Sequence, residues 1–572
     1  MAPFCSAANR AITSAVAAGL VALVLIGGLT AALAQAASPG FDPLQPEKRF
    51  EAAKQAAERD GDNTSLPAVS TRKGLVGAGR SFKVRGISLI GNHKIPTVTI
   101  EPLYRKFLGN SITEGELGEL TENISNLYRA NGYHLTRAIV PAQDVASGIV
   151  TIKVVEGRIA ELVVDGEPQG RFGVKALLSP ILAETPSRQQ TLERQLLLLN
   201  SLPGIRVSDT SLKEIGDTTG EFRLSVFVKS WQVYASLGVD NLGSSSVGPW
   251  QSYATGAFNS YLVAGDALTV NGSTVANDPT QLGFGRVGYE APVGVNGVRI
   301  GGSAFYSEVR PGDWRREYGN LTRTQSAELH ASAVPIQTQR QTLTVTMGTQ
   351  FTDVSEGDAF GSLYRDHLRT LYFVGDYRLK DEYGGANYLT LTLRKGLDIL
   401  GASKVDDEML SRYGGSAQAA TVNVLYSRYQ SLASDWSVKI AGAGQFASTQ
   451  LLTSQQFYLG GGSFGRGYGN AEISGDNAMA GSFELRFDGT LNTAYLRGYQ
   501  IYGFAETGVV WNVGYRYTDG LSLASAGGGI RFFLAENLQA DFGVGFPLTY
   551  RSYDNINRSP RFLLSVSNAF RL

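Results

Sequence analysis

The sequence predicts an α+β repeat region followed by a transmembrane antiparallel β-barrel of about sixteen strands. Three observations carry that prediction. From Trp231 to Leu572 apolar and polar residues alternate in short runs, as in Trp231, Val233, Ala235, Leu237 and Val239 against Gln232, Tyr234, Ser236, Gly238 and Asp240. Ahead of that region, one β-α-α-β-β unit occurs twice, and a repeated unit is a stronger signal than either copy alone. The chain is also rich in glycine (68) and in Tyr and Phe (26 each), and no stretch after residue 40 reaches the ~20 apolar residues of a membrane helix.

The bulk properties exclude several classes. A chain of 572 residues is too long for one domain. Equal numbers of basic and acidic residues (51 each) give no electrostatic case for a nucleic-acid partner. Cys5 is the only cysteine, so a disulfide or a cysteine metal site is not expected within the exported chain. The four histidines, His93, His134, His330 and His367, are scattered without metal-ligand spacing. No cofactor is expected.

In chain order, residues 1–34 read as a secretory signal peptide. Arg10 precedes an apolar run, and Ala32-Leu33-Ala34 fits the small-x-small cleavage pattern. Residues 35–80 read as an N-terminal helix and a linker. Over 41–60, Pro46 suits a first turn and the stretch after it holds strong helix formers, with Gly61 as the stop. That helix is charged nearly all round, so it suits water or a wet channel. Residues 61–80 have no periodicity and read as a linker of extended reach.

The first module reads as a strand over 82–89, a turn at Gly91-Asn92, a helix over 98–108 and a second helix after it. Thr113 and Glu116 form a capping box for that second helix. Leu117, Leu120, Ile124, Leu127 and Tyr128 make its apolar stripe, and Gly132 stops it. Strands are expected over 134–140 and 149–155. The second module repeats the order, with strands over 158–164, 205–212 and 221–228 and helices over 172–182 and 187–201.

At this point the sequence resembles a family. Gly91-Asn92, Tyr128, Gly132-Tyr133, Pro141-Ala142-Gln143-Asp144 and Val155-Glu156-Gly157, in that order, are similar to the first POTRA domain of two-partner secretion transporters in the Omp85 superfamily. The resemblance implies POTRA 1 over 81–157 and POTRA 2 over 158–229. A small sheet with an exposed edge can accept an extended polypeptide as an added strand, with little demand on its sequence. Taken residue by residue, Gly132 needs no role beyond a helix stop, and Glu156 none beyond a solvated turn.

The barrel is expected over 230–572. About 342 residues at roughly 20 per strand and connection give about sixteen strands, an even number as bacterial barrels require. Strands in a bilayer must close on themselves to pair every backbone group. The last strand places Phe562, Leu564, Val566, Phe570 and Leu572 on one face, with Leu563 breaking the pattern on the other. Outer-membrane barrels commonly end in an aromatic read by the barrel assembly machinery; here Phe570 lies two residues before the terminal Leu572.

One long loop, 447–481, stands apart. It is glycine-dense around Gly465-Arg466-Gly467-Tyr468, and loops of this length are functional or disordered. The tetrapeptide resembles the arginine-glycine-aromatic tip of the sixth extracellular loop of Omp85 proteins. That resemblance implies a loop folded into the lumen, its arginine meeting an acidic residue in a Phe-x-Asp-x-Gly wall motif. The matching residues are Phe504, Glu506 and Gly508, with Glu in place of Asp. A guanidinium and a carboxylate can pair bidentately there. Two enzyme-like patterns are coincidental: Gly461-Gly462-Ser463-Phe464-Gly465 has no histidine after it, and Gly283-Phe284-Gly285-Arg286-Val287-Gly288 lies in alternating β sequence.

The resemblance to haemolysin and filamentous-haemagglutinin transporters thus implies an outer-membrane translocator, not an enzyme, with its N-terminal domains in the periplasm. Its expected partners are a secreted exoprotein of adhesin or cytolysin type, outer-membrane lipid and the assembly machinery. An Omp85 insertase would carry more POTRA repeats than the two that fit here, and a plain porin would need neither the repeats nor the loop.

Overall fold

The structure is a computed structural model and describes residue 44 and residues 81–572, apart from 217–218, 463, 492, 494, 515–519, 535–536 and 550–556. The expected signal peptide, the helix over 41–60 (except Leu44) and the linker lie outside the described residues.

Sixteen antiparallel strands close into a barrel, from Val233–Asp240 to Arg561–Arg571. The ends pair directly: Val233 N donates to the Leu572 carbonyl at 3.0 Å, and Leu572 N to the Val233 carbonyl at 2.9 Å. Closure leaves no unpaired edge, which a bilayer demands. Alternation sets the faces. Along Leu321–Gln337, Thr322, Thr324 and Ser326 are buried inside while Leu329 is 65% exposed outside. Leu563, the apolar exception on the polar face of the last strand, points inward and is buried. The Gly283–Gly288 run lies within the strand Leu282–Val293, so it forms no phosphate loop. Among the described residues no helix is long and apolar enough to cross a membrane.

The first soluble module holds its predicted long helix, Glu114–Ala130, with the Thr113–Glu116 capping box formed. Ile100, Leu120, Ile124, Tyr128 and Ile152 are fully buried in its core. Three local readings differ from the sequence expectation. The first strand divides into Ser81–Lys83, which pairs with Ser111–Thr113, and Gly86–Ile90, which pairs with Ile149–Val155. The 134–140 strand shortens to Arg137–Ile139, because Leu135 turns away into the second module's core. In the second module the helix over 172–182 is two short ones, Val174–Leu177 and Ser179–Ala183, with Pro180 opening the second; proline supplies no amide to carry a helix through.

The second module sits on the barrel rim. Its helix Gln189–Ser201 sends Arg194 to the carbonyls of Asn296 (3.0 Å) and Val334 (2.8 Å), and Glu193 accepts from Gln339 N at 2.6 Å. Gly297 suits its turn there because its backbone sits at φ +77°, a conformation that favours glycine. The turns 294–297 and 338–340 therefore face the soluble modules, and the long loop leaves the opposite rim.

Candidate functional site: the loop held in the barrel lumen

The long loop runs between the strands Trp436–Ala447 and Asn477–Thr490, and carries a small hairpin, Phe457–Leu459 with Ile473–Gly475. Its turn holds Gly465, Arg466, Gly467 and Tyr468. The chain reverses there with φ +97° at Gly465, where a Cβ would lie 2.8 Å from Leu523. A Cβ on Gly467 would come within 2.8 Å of the Phe546 backbone. These glycines let the tip press flat on the barrel wall.

Arg466 faces the inner wall residues. Its Nε donates to Glu506 Oε1 at 2.7 Å, and its Nη1 donates to Glu484 Oε2 at 2.7 Å. Its guanidinium carbon stands 3.6 Å from the ring centroid of Phe504. The second Glu506 oxygen accepts from the amides of Gly465 and Arg466, both at 2.8 Å. The contact is therefore not the two-pronged fork expected from the sequence. The arginine divides between two carboxylates, and one of these also caps the loop backbone. Glu506 and Glu484 side chains are only 1% and 4% exposed, so water screens the contacts little.

The network extends beyond the sequence-predicted residues. Glu484 also accepts from Arg486 (2.7 Å) and Arg531 (3.0 Å), and Arg531 reaches Asp541 at 2.8 Å. Two carboxylates so close need these cations, because buried like charges repel. Gly508 allows the hairpin to pack: a Cβ there would lie 2.7 Å from Leu459 Cδ1. Tyr468 is buried, and its hydroxyl donates to the Ala524 carbonyl at 3.0 Å and accepts from Thr549 N at 3.2 Å. Glu484 and Arg531 escaped the sequence reading. The inward register of Glu484 in Phe483-Glu484-Leu485-Arg486 was visible, but its pairing across strands was not.

A second tie holds the loop base. Asp476 is fully buried and takes Arg412, the amides of Leu451 (3.1 Å) and Val513 (3.0 Å), and Gln456. Leu44, from the N-terminal segment, packs against the buried cluster of Val247, Val275, Leu282, Phe284, Phe305 and Val309. That cluster lies at the rim from which the loop springs, away from the soluble modules.

The POTRA-motif residues fall in two sets. Gly91 (φ +82°) brings its chain onto Val154, where a Cβ would be 2.3 Å from the carbonyl oxygen. Asn92 Nδ2 donates to Thr97 Oγ1 at 3.0 Å. Buried Tyr128 donates to Glu156 at 3.0 Å, and Glu156 also takes Lys94 N at 2.7 Å, so it is more than a solvated turn residue. Gln143 exchanges two bonds with the Thr151 backbone, at 2.8 and 2.7 Å. Asp144 caps Ala146 N at 2.9 Å, and Pro141 begins that connection.

The other set forms the joint between modules. The Gly132 carbonyl accepts from Gln189 N and the Gly157 carbonyl from Ser187 N, both at 2.9 Å. Tyr133 stacks under Arg188 at 5.6 Å, and Arg137 pairs with Glu214 through two bonds, at 2.8 and 2.5 Å. A Cβ on Gly157 would lie 2.4 Å from the Leu135 carbonyl oxygen. His134 lies at this joint with both ring nitrogens buried and unpartnered. Burial holds its imidazole well below the ordinary value, at about 4.

Comparison with known proteins follows the same division. A profile described as a ShlB-type POTRA domain matches residues 82–157. A profile described as haemolysin secretion/activation protein ShlB/FhaC/HecB matches residues 224–532. The heme/hemopexin transporter protein HuxB of Haemophilus influenzae is 22% identical over 471 residues, covering 80% of both chains. The outer membrane transporter CdiB of Escherichia coli is 24% identical over 527 residues, 87% of this chain and 84% of that one. Among solved structures, CdiB from Escherichia coli superposes with a TM-score of 0.75 at 20% identity, over 94% of this chain and 100% of that one. CdiB from Acinetobacter baumannii gives 0.65 at 18% identity, over 92% and 98%.

Proposed function

From the premise that the chain belongs to the haemolysin secretion/activation protein family, and so is an outer-membrane two-partner secretion transporter, we propose that its POTRA domains bind an unfolded exoprotein in the periplasm and its barrel passes that client outward. The observation that carries this reading is the Arg466 tip, held inside the lumen by Glu506 and Glu484. The charged contacts of the tip are non-covalent and are backed by a small apolar cluster of Leu459, Phe464, Tyr468 and Ile473 against the wall, so the tip can be displaced, as a gated path requires. The N-terminal segment over 41–60 shares the resting lumen in this reading, supported by the packing of Leu44 at the outer end.

Capture begins on the sheet of POTRA 2. Its edge strands are Arg158–Asp165 and Ile205–Glu214. Both carry a register shift, between Ile159 and Glu161 in the first and between Val207 and Asp209 in the second, but in the second the side chains of Asn200 and Asp209 also take the amides of Val207 and Thr210. No side chain caps an amide of Arg158–Asp165 among the described residues. Val163 and, across the sheet, Phe227 expose apolar surface beside it. That edge fits strand addition of an extended client.

The test compares the proteomes of culture medium and outer membrane with and without this protein. Loss of one large secreted polypeptide is the expected result and identifies the client. Loss of many barrel proteins from the outer membrane would replace the proposal with an insertase.

A further inference from the structure

We propose that the cleft between Arg323 and Arg365, on the outer wall of the barrel, binds a phosphate group of an outer-leaflet glycolipid. The strands Leu321–Gln337, Gln341–Asp358 and Gly361–Lys380 are the longest among the described residues, and their register can be read rung by rung. On the outward face, one rung holds Ala331, Met347 and Phe373, and the next Leu329, Thr349 and Leu371. Met347, Phe373 and Leu329 are exposed, as lipid-facing residues must be. The third rung, with Ala327 and Phe351, ends at Arg369. Above it come Gln325, Asp353 and His367, then Arg323, Ser355 and Arg365. The face turns from apolar to basic within three rungs.

Height agrees. From outward Tyr377 to Arg369 is eight residues along one strand. At about 3.3 Å per residue and a tilt near 40°, that is about 20 Å, close to the ~25 Å apolar band of such barrels. The basic rungs therefore lie at the outer headgroup level, on the rim opposite the POTRA domains.

Charge and shape fit a phosphate. Glu308 is shared by Arg310 and Arg323, both at 3.0 Å, and Asp353 is shared by His367 and Arg369. The Arg365 guanidinium has no side-chain hydrogen bond or ion pair among the described residues. Arg323 and Arg365 flank the small Ser355, two strand spacings or about 10 Å apart at Cα, and border a cavity of about 290 Å³. The acids of that cavity are engaged elsewhere: Asp358 takes the amides of Phe360 (2.8 Å) and Gly361 (3.1 Å), and Glu356 takes Asn320 (3.0 Å). Planar guanidiniums at such spacing suit a phosphate between them.

The proposal needs only the membrane barrel and is independent of which client is exported. Its test is native mass spectrometry of the full-length protein in detergent, titrated with bis-phosphorylated lipid A, its dephosphorylated form, and inorganic phosphate. Bound phosphorylated lipid is expected, with affinity at least tenfold lower for R323Q/R365Q and unchanged for R340Q on the opposite rim. Heat-modifiable mobility checks that each barrel is folded; if the double variant fails that check, R365Q against charge-retaining R365K replaces it. Equal binding of dephosphorylated lipid, full affinity in R323Q/R365Q, or inorganic phosphate binding as tightly as the lipid would each overturn the proposal.

Discussion

Arg466 and Glu484 meet at 2.7 Å although they belong to different parts of the wall, one at a loop tip and the other in the strand Asn477–Thr490. Glu484 thus shares with Glu506 the work of holding the loop. Removing one member of a buried charge pair costs roughly 3–5 kcal/mol, because the partner is left uncompensated. Arg466→Ala is expected to leave barrel assembly intact, free the loop and lower client export. Glu484→Gln should move export in the same direction. Normal export at normal surface levels in Arg466→Ala would remove the loop from the mechanism.

Gly467→Ala tests the same contact without touching a charge. Its Cβ would fall 2.8 Å from the Phe546 carbonyl carbon and from Pro547 N, and backbone on both sides cannot yield. The variant is expected to reproduce the export defect of Arg466→Ala. Wild-type export with G467A would show that the tip need not press on the wall.

Deleting residues 41–60 is expected to raise single-channel conductance in planar bilayers, since Leu44 packs into the outer end of the lumen. Leu44→Asp should do so partially, because a carboxylate there faces an apolar cluster. Conductance unchanged by the deletion would place that segment outside the ion path.

A photo-crosslinker at Val163, on the uncapped edge of POTRA 2, is expected to trap the secreted client during export. The same group at Ser208, on the edge whose amides are taken by side chains, should trap it several-fold less. Equal yields from the two edges would refute the assignment of the docking strand.

The joint between POTRA domains should weaken in acid. The folded value of His134, about 4, lies below its ordinary 6.5, so the unfolded chain binds the proton first. Stability from neutral His134 is complete above pH 6.5 and declines as pH falls toward 4, by about 3 kcal/mol in total. The hydrogen-exchange protection factors of the Gly132–Leu135 amides, which divide out the pH dependence of intrinsic exchange, should fall over that range, and His134→Phe should flatten the response. An identical pH profile in the variant would assign the effect to another group.

The barrel, the capped helix Glu114–Ala130 and the modules' order were legible in the sequence, because period-two and period-3.6 patterns are local. Alternation put Glu506 on one face with Phe504, and the resemblance to Omp85 proteins implied that this face is the inner wall and that the glycine-rich stretch is the loop tip. Sequence also determined the turn at Gly91 and the helix stop at Gly132, positions where positive φ demands glycine. Tertiary structure alone decided the rest. It divided Arg466 between Glu506 and Glu484, joined Gly132 and Gly157 to the second module, and turned Leu135 out of its strand. It also lined up Arg323, Ser355 and Arg365 across three strands. The physical reason is common to all of these: cross-strand register and domain docking join residues far apart in the chain, and no local periodicity encodes which of them will meet.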